Sequence, residues 1–279
     1  MTTTLRPAGP LQETPDGARS RVYDICVNSR RVGAVELGTL PGYGRPAGVI
    51  RSLGVDGPDR RRGRGTVAAL AAEEVLRGWG CDQVTVSVPA GATVALRMAT
   101  ALGYTERSRN LAKDLGAPPP EPPAGVRVRP MTEAEFREWE ARSLERFASS
   151  LAGHGVPKDR AVARAEWGRR EHLPDGLATE GAAFHVAVRD GTAVGHLWTG
   201  RLRSPSGEEI PFVYDIEVAE GRRGQGYGRT LMLFAERIAL EAGERRIGLH
   251  VFADNTPALR LYESLGYATT HVNSFKPLL

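Results

Sequence analysis

Apolar positions follow two rhythms along this chain. Alternating or short apolar runs read as strands at Val22–Val27, Gly33–Leu40, Val49–Val55 and Gln83–Val88. Helical spacing appears at Thr66–Trp79 and Ala92–Leu102. Further on, Val126–Pro130 is a short strand, and Thr132 with Glu135 three residues later forms a capping box that opens a helix to about 152. A second helix covers about 159–172. Ala183–Val188 and Ala193–Leu202 are strands joined at Asp190-Gly191, a hairpin signal. Pro211–Val218, Arg246–Phe252 and about 269–278 complete the strands. Arg229–Ala242 and Thr256–Leu265 complete the helices, the last with Pro257 near its start and Gly266 after its end. The order from residue 126 is β-α-α-β-β-β-α-β-α-β.

Gly116–Gly125 packs five prolines into ten residues, a stiff extended spacer. It divides the chain into 1–115, a linker at 116–125, and 126–279. The two parts echo each other. Asp59–Gly65 resembles Gly221–Gly226, Leu102-Gly-Tyr104 resembles Leu265-Gly-Tyr267, and Lys113-Asp-Leu115 resembles Lys276-Pro-Leu278. The offsets are 161 (Arg62 to Arg223), 163 and 163. Two copies of one α/β fold are expected. The first copy is expected to lack the opening strand and two helices, and so to rely on the second as a packing partner.

Composition narrows the class. Of 279 residues, 41% are hydrophobic and 25% charged, as in an ordinary globular chain. No apolar run approaches the ~18 residues of a membrane span, and the opening segment has no apolar leader core. Two cysteines, Cys26 and Cys81, cannot build a disulfide framework or a metal site alone, so reduced buried thiols in a cytoplasmic protein are expected. The net charge is only +4, and aromatics are not interleaved with the arginines, which disfavours nucleic acid as a partner. Only three of the 37 basic residues are lysines. Arginine's planar fork suits phosphate, and two arginine clusters, at 60–64 and 222–223, sit beside glycines.

The sharpest motif begins at Val213-Tyr-Asp-Ile-Glu-Val218, passes through Arg222-Arg223-Gly224-Gln225-Gly226-Tyr227-Gly228-Arg229, and enters a helix. A strand feeding a glycine-rich turn at a helix N-terminus leaves unpaired N–H groups facing outwards, in a field that favours anions. The spacing fails the dinucleotide fingerprint, because Arg229 stands where its third glycine belongs, and no Gly-Lys-Ser/Thr is present. What fits is Arg-x-x-Gly-x-Gly, at Arg223, Gly226 and Gly228.

That turn resembles the acyl-CoA pyrophosphate loop of the GNAT N-acetyltransferase superfamily. Asn255-Thr-Pro-Ala258 through Tyr262 to Gly266-Tyr267 is similar to the family's N-x-x-A-x-x-x-Y-x-x-x-G-[FY] segment, and the strand order agrees. Two such domains in tandem resemble mycothiol synthase-like actinobacterial acyltransferases. The resemblance implies two domains, each a mixed, mostly antiparallel sheet flanked by helices. It implies acetyl-CoA, or another acyl-CoA, as co-substrate, no metal, and a small-molecule primary amine as acceptor; a protein amine or a non-catalytic acyl-CoA sensor are the alternatives. Acyl-CoA is expected against Ile216, Val218, Arg223, Gly224, Gln225, Gly226, Tyr227, Gly228, Arg229, Asn255 and Ala258. The Val218 N–H is expected to polarise the thioester, and Tyr262 to protonate the thiolate. The base stays open among Glu217, His250, Asp215 and a water relay. The first copy, with Ser52, Gly54, Ser87, Ala92 and Ala99 at the matching places and Val67 in place of Gly228, is expected to lack catalysis.

Overall fold

Two tight hairpin turns set the pattern. Asn28-Ser29 and Asp190-Gly191 each place two consecutive residues at positive φ (48° and 68°; 50° and 77°), the geometry whose twist matches paired strands. The computed structural model describes residues 2–40, 47–153, 156–203 and 209–278. The elements of the first half are β1 (Thr3–Pro7), β2 (Gln12–Glu13), β3 (Arg19–Val27), β4 (Arg30–Leu40), β5 (Ala47–Val55), α1 (Arg64–Gly78), β6 (Gln83–Pro89), α2 (Thr93–Ala101) and β7 (Thr105–Asp114). Those of the second half are β8 (Val126–Pro130), α3 (Glu133–Gly153), α4 (Lys158–His172), β9 (Ala183–Arg189), β10 (Thr192–Arg203), β11 (Glu209–Val218), α5 (Tyr227–Glu241), β12 (Arg246–Phe252), α6 (Thr256–Ser264) and β13 (Ala268–Pro277).

The chain forms two compact units, neither continuous in sequence. The first comprises 1–107, 151–164 and 271–279, the second 108–150 and 165–270. In the first, the strand order is β1-β3-β4-β5-β6-β13, antiparallel except for β5–β6. Its core joins Ile25, Val32, Val35 and Leu37 to Ala72 and Leu76 of α1. In the second, the order is β7-β12-β11-β10-β9-β8, parallel only at β11–β12. One face packs Leu197, Val213, Ile247 and Leu249 on Leu231 and Met232 of α5. The other packs Phe184, Val186 and the half-buried Trp198 on Phe136 and Trp139 of α3.

The last strand of each half therefore serves the unit built mainly from the other half. β7 pairs with β12, and β13 pairs with β6. The linker is held within the second unit, where Arg237 of α5 donates to the Pro119 and Pro120 carbonyls and pairs with Glu121. A division at the prolines is thus not where the compact units divide.

One expectation about the first half needs correction. It has an opening strand: β1 pairs with β3 as β8 pairs with β9. The polar, proline-ended Thr3–Pro7 gives little apolar signal because it is an edge strand. Among the described residues of the first half no α-helix lies between β1 and β3, yet 151–164, the end of α3 and start of α4, belongs to the first unit. There Arg160 pairs with Asp82 at 2.6 Å. The capping box forms as read, with Thr132 N donating to Glu135 (2.8 Å) and Glu135 N to Thr132 Oγ1 (3.3 Å). Cys26 and Cys81 are buried and unpaired; burial pushes the Cys81 thiol up to about 11. No described helix is long and apolar enough to cross a membrane, and no group of acidic, His or Cys side chains among the described residues is placed to hold a metal ion.

Candidate active site

β11 determines the site. Along one edge it pairs with β10 from Glu209 to Val218. Along the other it pairs with β12 only at Phe212 and Val213. Ala219 N donates to Val194 O, so Asp215 and Glu217, in phase with Ala219, turn their backbone groups to β10. Ile216 and Val218 turn theirs to the other edge, beyond the last pair with β12. A bulge between Val213 and Asp215 accompanies the divergence. The backbone N–H groups of Ile216 and Val218 are therefore set in an open ladder.

The chain then enters the glycine turn. Gly224 (φ 74°) and Gly226 (φ 86°) are left-handed, which only glycine adopts freely, and a Cβ on either would meet no atom within 4 Å. Gly226 is the N-cap of α5 and supplies no capping side chain; the first helical bond is Thr230 N to Gly226 O. The N–H groups of Tyr227, Gly228 and Arg229 thus have no carbonyl of the helix to bond. α5 begins two residues earlier than its periodicity predicts, so these three residues form its first turn. Gly228 has a packing reason as well: a Cβ there would lie 3.2 Å from Leu261 of α6. The Tyr227 ring is buried, and its hydroxyl accepts from Arg189 at 3.1 Å. Arg229 donates to Ser264 at 2.5 Å, Gln225 to the Gly221 carbonyl at 3.4 Å, and Arg223 Nε to the Val218 carbonyl at 3.5 Å. An extended anionic ligand fits this cradle: open space, left-handed glycines and a helix N-terminus coincide.

Asn255 caps α6 through Oδ1, accepting from Ala258 N at 3.2 Å. Ala258 is partly buried on the core. Tyr262, one turn on, is 4% exposed and belongs to that core. Burial, helped by the Asp215 charge, pushes its phenol above the usual range, so it stays protonated.

Asp215 and Glu217 share the face covered by α3. Asp215 Oδ2 accepts from Trp139 Nε1 and from Arg146, each at 2.9 Å. Arg146 also donates to Glu217 Oε2. His196, opposite Glu217 in register, has Nε2 2.8 Å from Oε2 but out of line for an N–H bond. Burial, with help from the Arg146 and Arg142 charges, holds His196 down at about 4 against the pull of Asp215. His250 is exposed on β12, its ring 5.5 Å from Phe252. Sequence reading passed over Arg146, Trp139 and His196. Arg146 looks like one of many surface arginines on a helix, and only the alternation of β10 puts His196 on the acidic face.

The first unit repeats the frame of the turn. Gly63 (φ 71°) caps α1 as Gly226 caps α5, and Arg60 Nε donates to the Val55 carbonyl at 2.7 Å, as Arg223 does to Val218. The two caps lie 163 residues apart, so Gly65 matches Gly228 and Val67 matches Thr230. The expectation of Val67 at the Gly228 position came from the offset of 161 and is corrected. Arg61, at φ 56°, stands where Gly224 does.

Comparison with known proteins agrees with this geometry. The Acetyltransferase (GNAT) family model matches residues 5–104 and 135–267. A mycothiol acetyltransferase of Thermobispora bispora is 32% identical over 214 residues, covering 74% of this chain and 68% of its own. A GCN5-related N-acetyltransferase from Sphaerobacter thermophilus has a TM-score of 0.59 at 20% identity, covering 92% of this chain and 80% of its own. A tandem GNAT protein from the clavulanic acid biosynthesis pathway has a TM-score of 0.53 at 21% identity, over 96% and 85%. At such identities the two structures speak for the fold alone. With both halves matched by the family model, the chain belongs to the GNAT family of acetyltransferases, an enzyme with two GNAT domains in tandem.

Proposed function

We propose that the second unit transfers an acetyl group from acetyl-CoA to the primary amine of a small molecule. The observation that carries this reading is the open edge of β11 leading straight into the Gly226-capped N-terminus of α5. Helix N–H groups and Arg223 would hold the pyrophosphate. The Val218 N–H, at the open edge, would stabilise the oxyanion formed when the amine attacks the thioester carbonyl. The C–N bond forms, the C–S bond breaks, and Tyr262 gives its proton to the departing thiolate while the nitrogen of the intermediate returns one to it. Glu217 takes the proton of the acceptor ammonium: both its contacts fall on Oε2, which leaves Oε1 for the amine. With acetyl-CoA as donor, the reaction belongs to the cytoplasm. The first unit contributes no acid or base.

The test is direct. The protein is mixed with acetyl-CoA and a panel of primary amines, and free thiol is followed. The expected result is amine-dependent thiol release that Glu217→Gln lowers by ~10²-fold or more. Release that no amine accelerates overturns the proposal.

A further inference from the structure

The face of β10 and β11 that carries the two acids also carries one cation. Arg146 reaches from α3 to Asp215 and Glu217 together. Trp139 donates to the same Asp215 oxygen. His196 adds no charge at neutral pH. Arg142, whose charge also reaches His196, is not in contact with the acids; it lies 3.5 Å from Glu138 of its own helix. The groups in mutual contact therefore sum to a single negative charge. They are not sealed: the Arg146, Glu217 and Asp215 side chains are 39%, 29% and 22% exposed.

Resting on the acetyl-transfer reading, we infer that Arg146 sets acceptor specificity: it neutralises one of the two carboxylates and so restricts the acceptor to an amine whose ammonium is its only positive charge. A monocation at Glu217 Oε1 brings the cluster to neutrality. A second ammonium would face the Arg146 guanidinium, with no free carboxylate left in the cluster to receive it. In a half-buried site such a repulsion is felt strongly, and an unpaired charge set against the wrong ligand is a standard source of discrimination. Arg146 touches the acids and not the reacting atoms, so it is a positioning residue.

Propylamine and 1,3-diaminopropane make a matched pair of probes. Their kcat/KM values are compared in the intact chain, in Arg146→Gln and in Arg146→Lys, at neutral pH with saturating acetyl-CoA. Calorimetric binding of the same two amines in the presence of CoA reads the ratio where turnover is slow. The wild type is expected to favour the monoamine. Arg146→Gln should shift the ratio towards the diamine by about tenfold or more, since it removes a full charge from the site. Arg146→Lys should keep the ratio within about threefold. Should the Gln variant lose its circular dichroism, Arg146→Met, which keeps the apolar stem, takes its place. A purely structural Arg146 would weaken both amines equally, and an unchanged ratio in a folded variant overturns the inference. Neither binding nor turnover of either amine by the wild type would instead overturn the amine-acceptor reading beneath it.

Discussion

Glu73, Tyr104 and Lys276 in the first unit repeat as Glu236, Tyr267 and Lys113 in the second, each pair 163 residues apart. In both units the lysine is 2.7 Å from the buried carboxylate and lies over the tyrosine ring, at 5.7 and 5.8 Å. Burial and the neighbouring carboxylate push both phenols well above their usual range. In both units the lysine arrives on the last strand of the other half. The polar face proposed for catalysis does not repeat: His196, Asp215, Glu217, Asn255 and Tyr262 correspond to Ala34, Ser52, Gly54, Ala92 and Ala99. A buried carboxylate needs its cation whatever the domain does, because an unpaired one is costly. An acid–base pair is needed only where a reaction runs. The scaffold is therefore kept twice, and the acids and tyrosine of the proposed site once.

The sharpest way to break this contrast is on turnover. Tyr262→Phe keeps the ring in the core of the second unit and removes the proton donor. Single-turnover thiol release should fall ~10²–10⁴-fold, whereas the reciprocal Ala99→Tyr should leave it unchanged. A Tyr262→Phe rate within about threefold of wild type would make Tyr262 a packing residue only.

Stability comes next. Lys113→Met strands Glu236, and Lys276→Met strands Glu73, each in a site 4–5% exposed at the side chain. Either change should cost ~3–5 kcal/mol in urea denaturation, and Lys113→Met combined with Glu236→Leu should recover most of the loss. Comparable losses in the two units would confirm one scaffold used twice; a loss under about 1 kcal/mol in either would mean that its pair behaves as a solvated one.

The smallest effect distinguishes the units by pH. In the folded chain His196 sits at about 4, against ~6.5 for a free histidine. Between those values the unfolded chain binds more protons, so stability rises with pH. The contribution is complete above the free value and is lost as the pH falls towards the folded one. His196→Asn should flatten that decline, by up to ~3 kcal/mol near pH 4. Thermal melts at neutral and acid pH check it; parallel curves for variant and wild type would reject the assignment. Ala34 leaves the first unit with no such dependence.

Much of the fold was legible because local rules acted alone. The Thr132–Glu135 box, the Asp190-Gly191 turn and the amphipathic α6 each depend on neighbours within a few residues. The turn between β11 and α5 was legible for the same reason, since left-handed positions call for glycine. The family resemblance pointed to Tyr262, and strand alternation put Asp215 and Glu217 on one face. Neither marked Arg146, Trp139 or His196, whose roles rest on contacts spanning 71, 76 and 21 residues. Nor did either mark β1, whose burial is too shallow to leave an apolar imprint.

By itself, then, the sequence determined that one α/β plan is written twice, that each copy turns through glycine into a helix, and that only the second carries acids and a tyrosine around it. Even Lys113 and Lys276 were visible as a repeat. Only the tertiary structure decided where those lysines go. Each last strand is long enough to complete a sheet, and strand pairing satisfies backbone groups equally well in either copy. Which sheet receives which strand is a question of long-range packing, and periodicity along the chain carries no record of it.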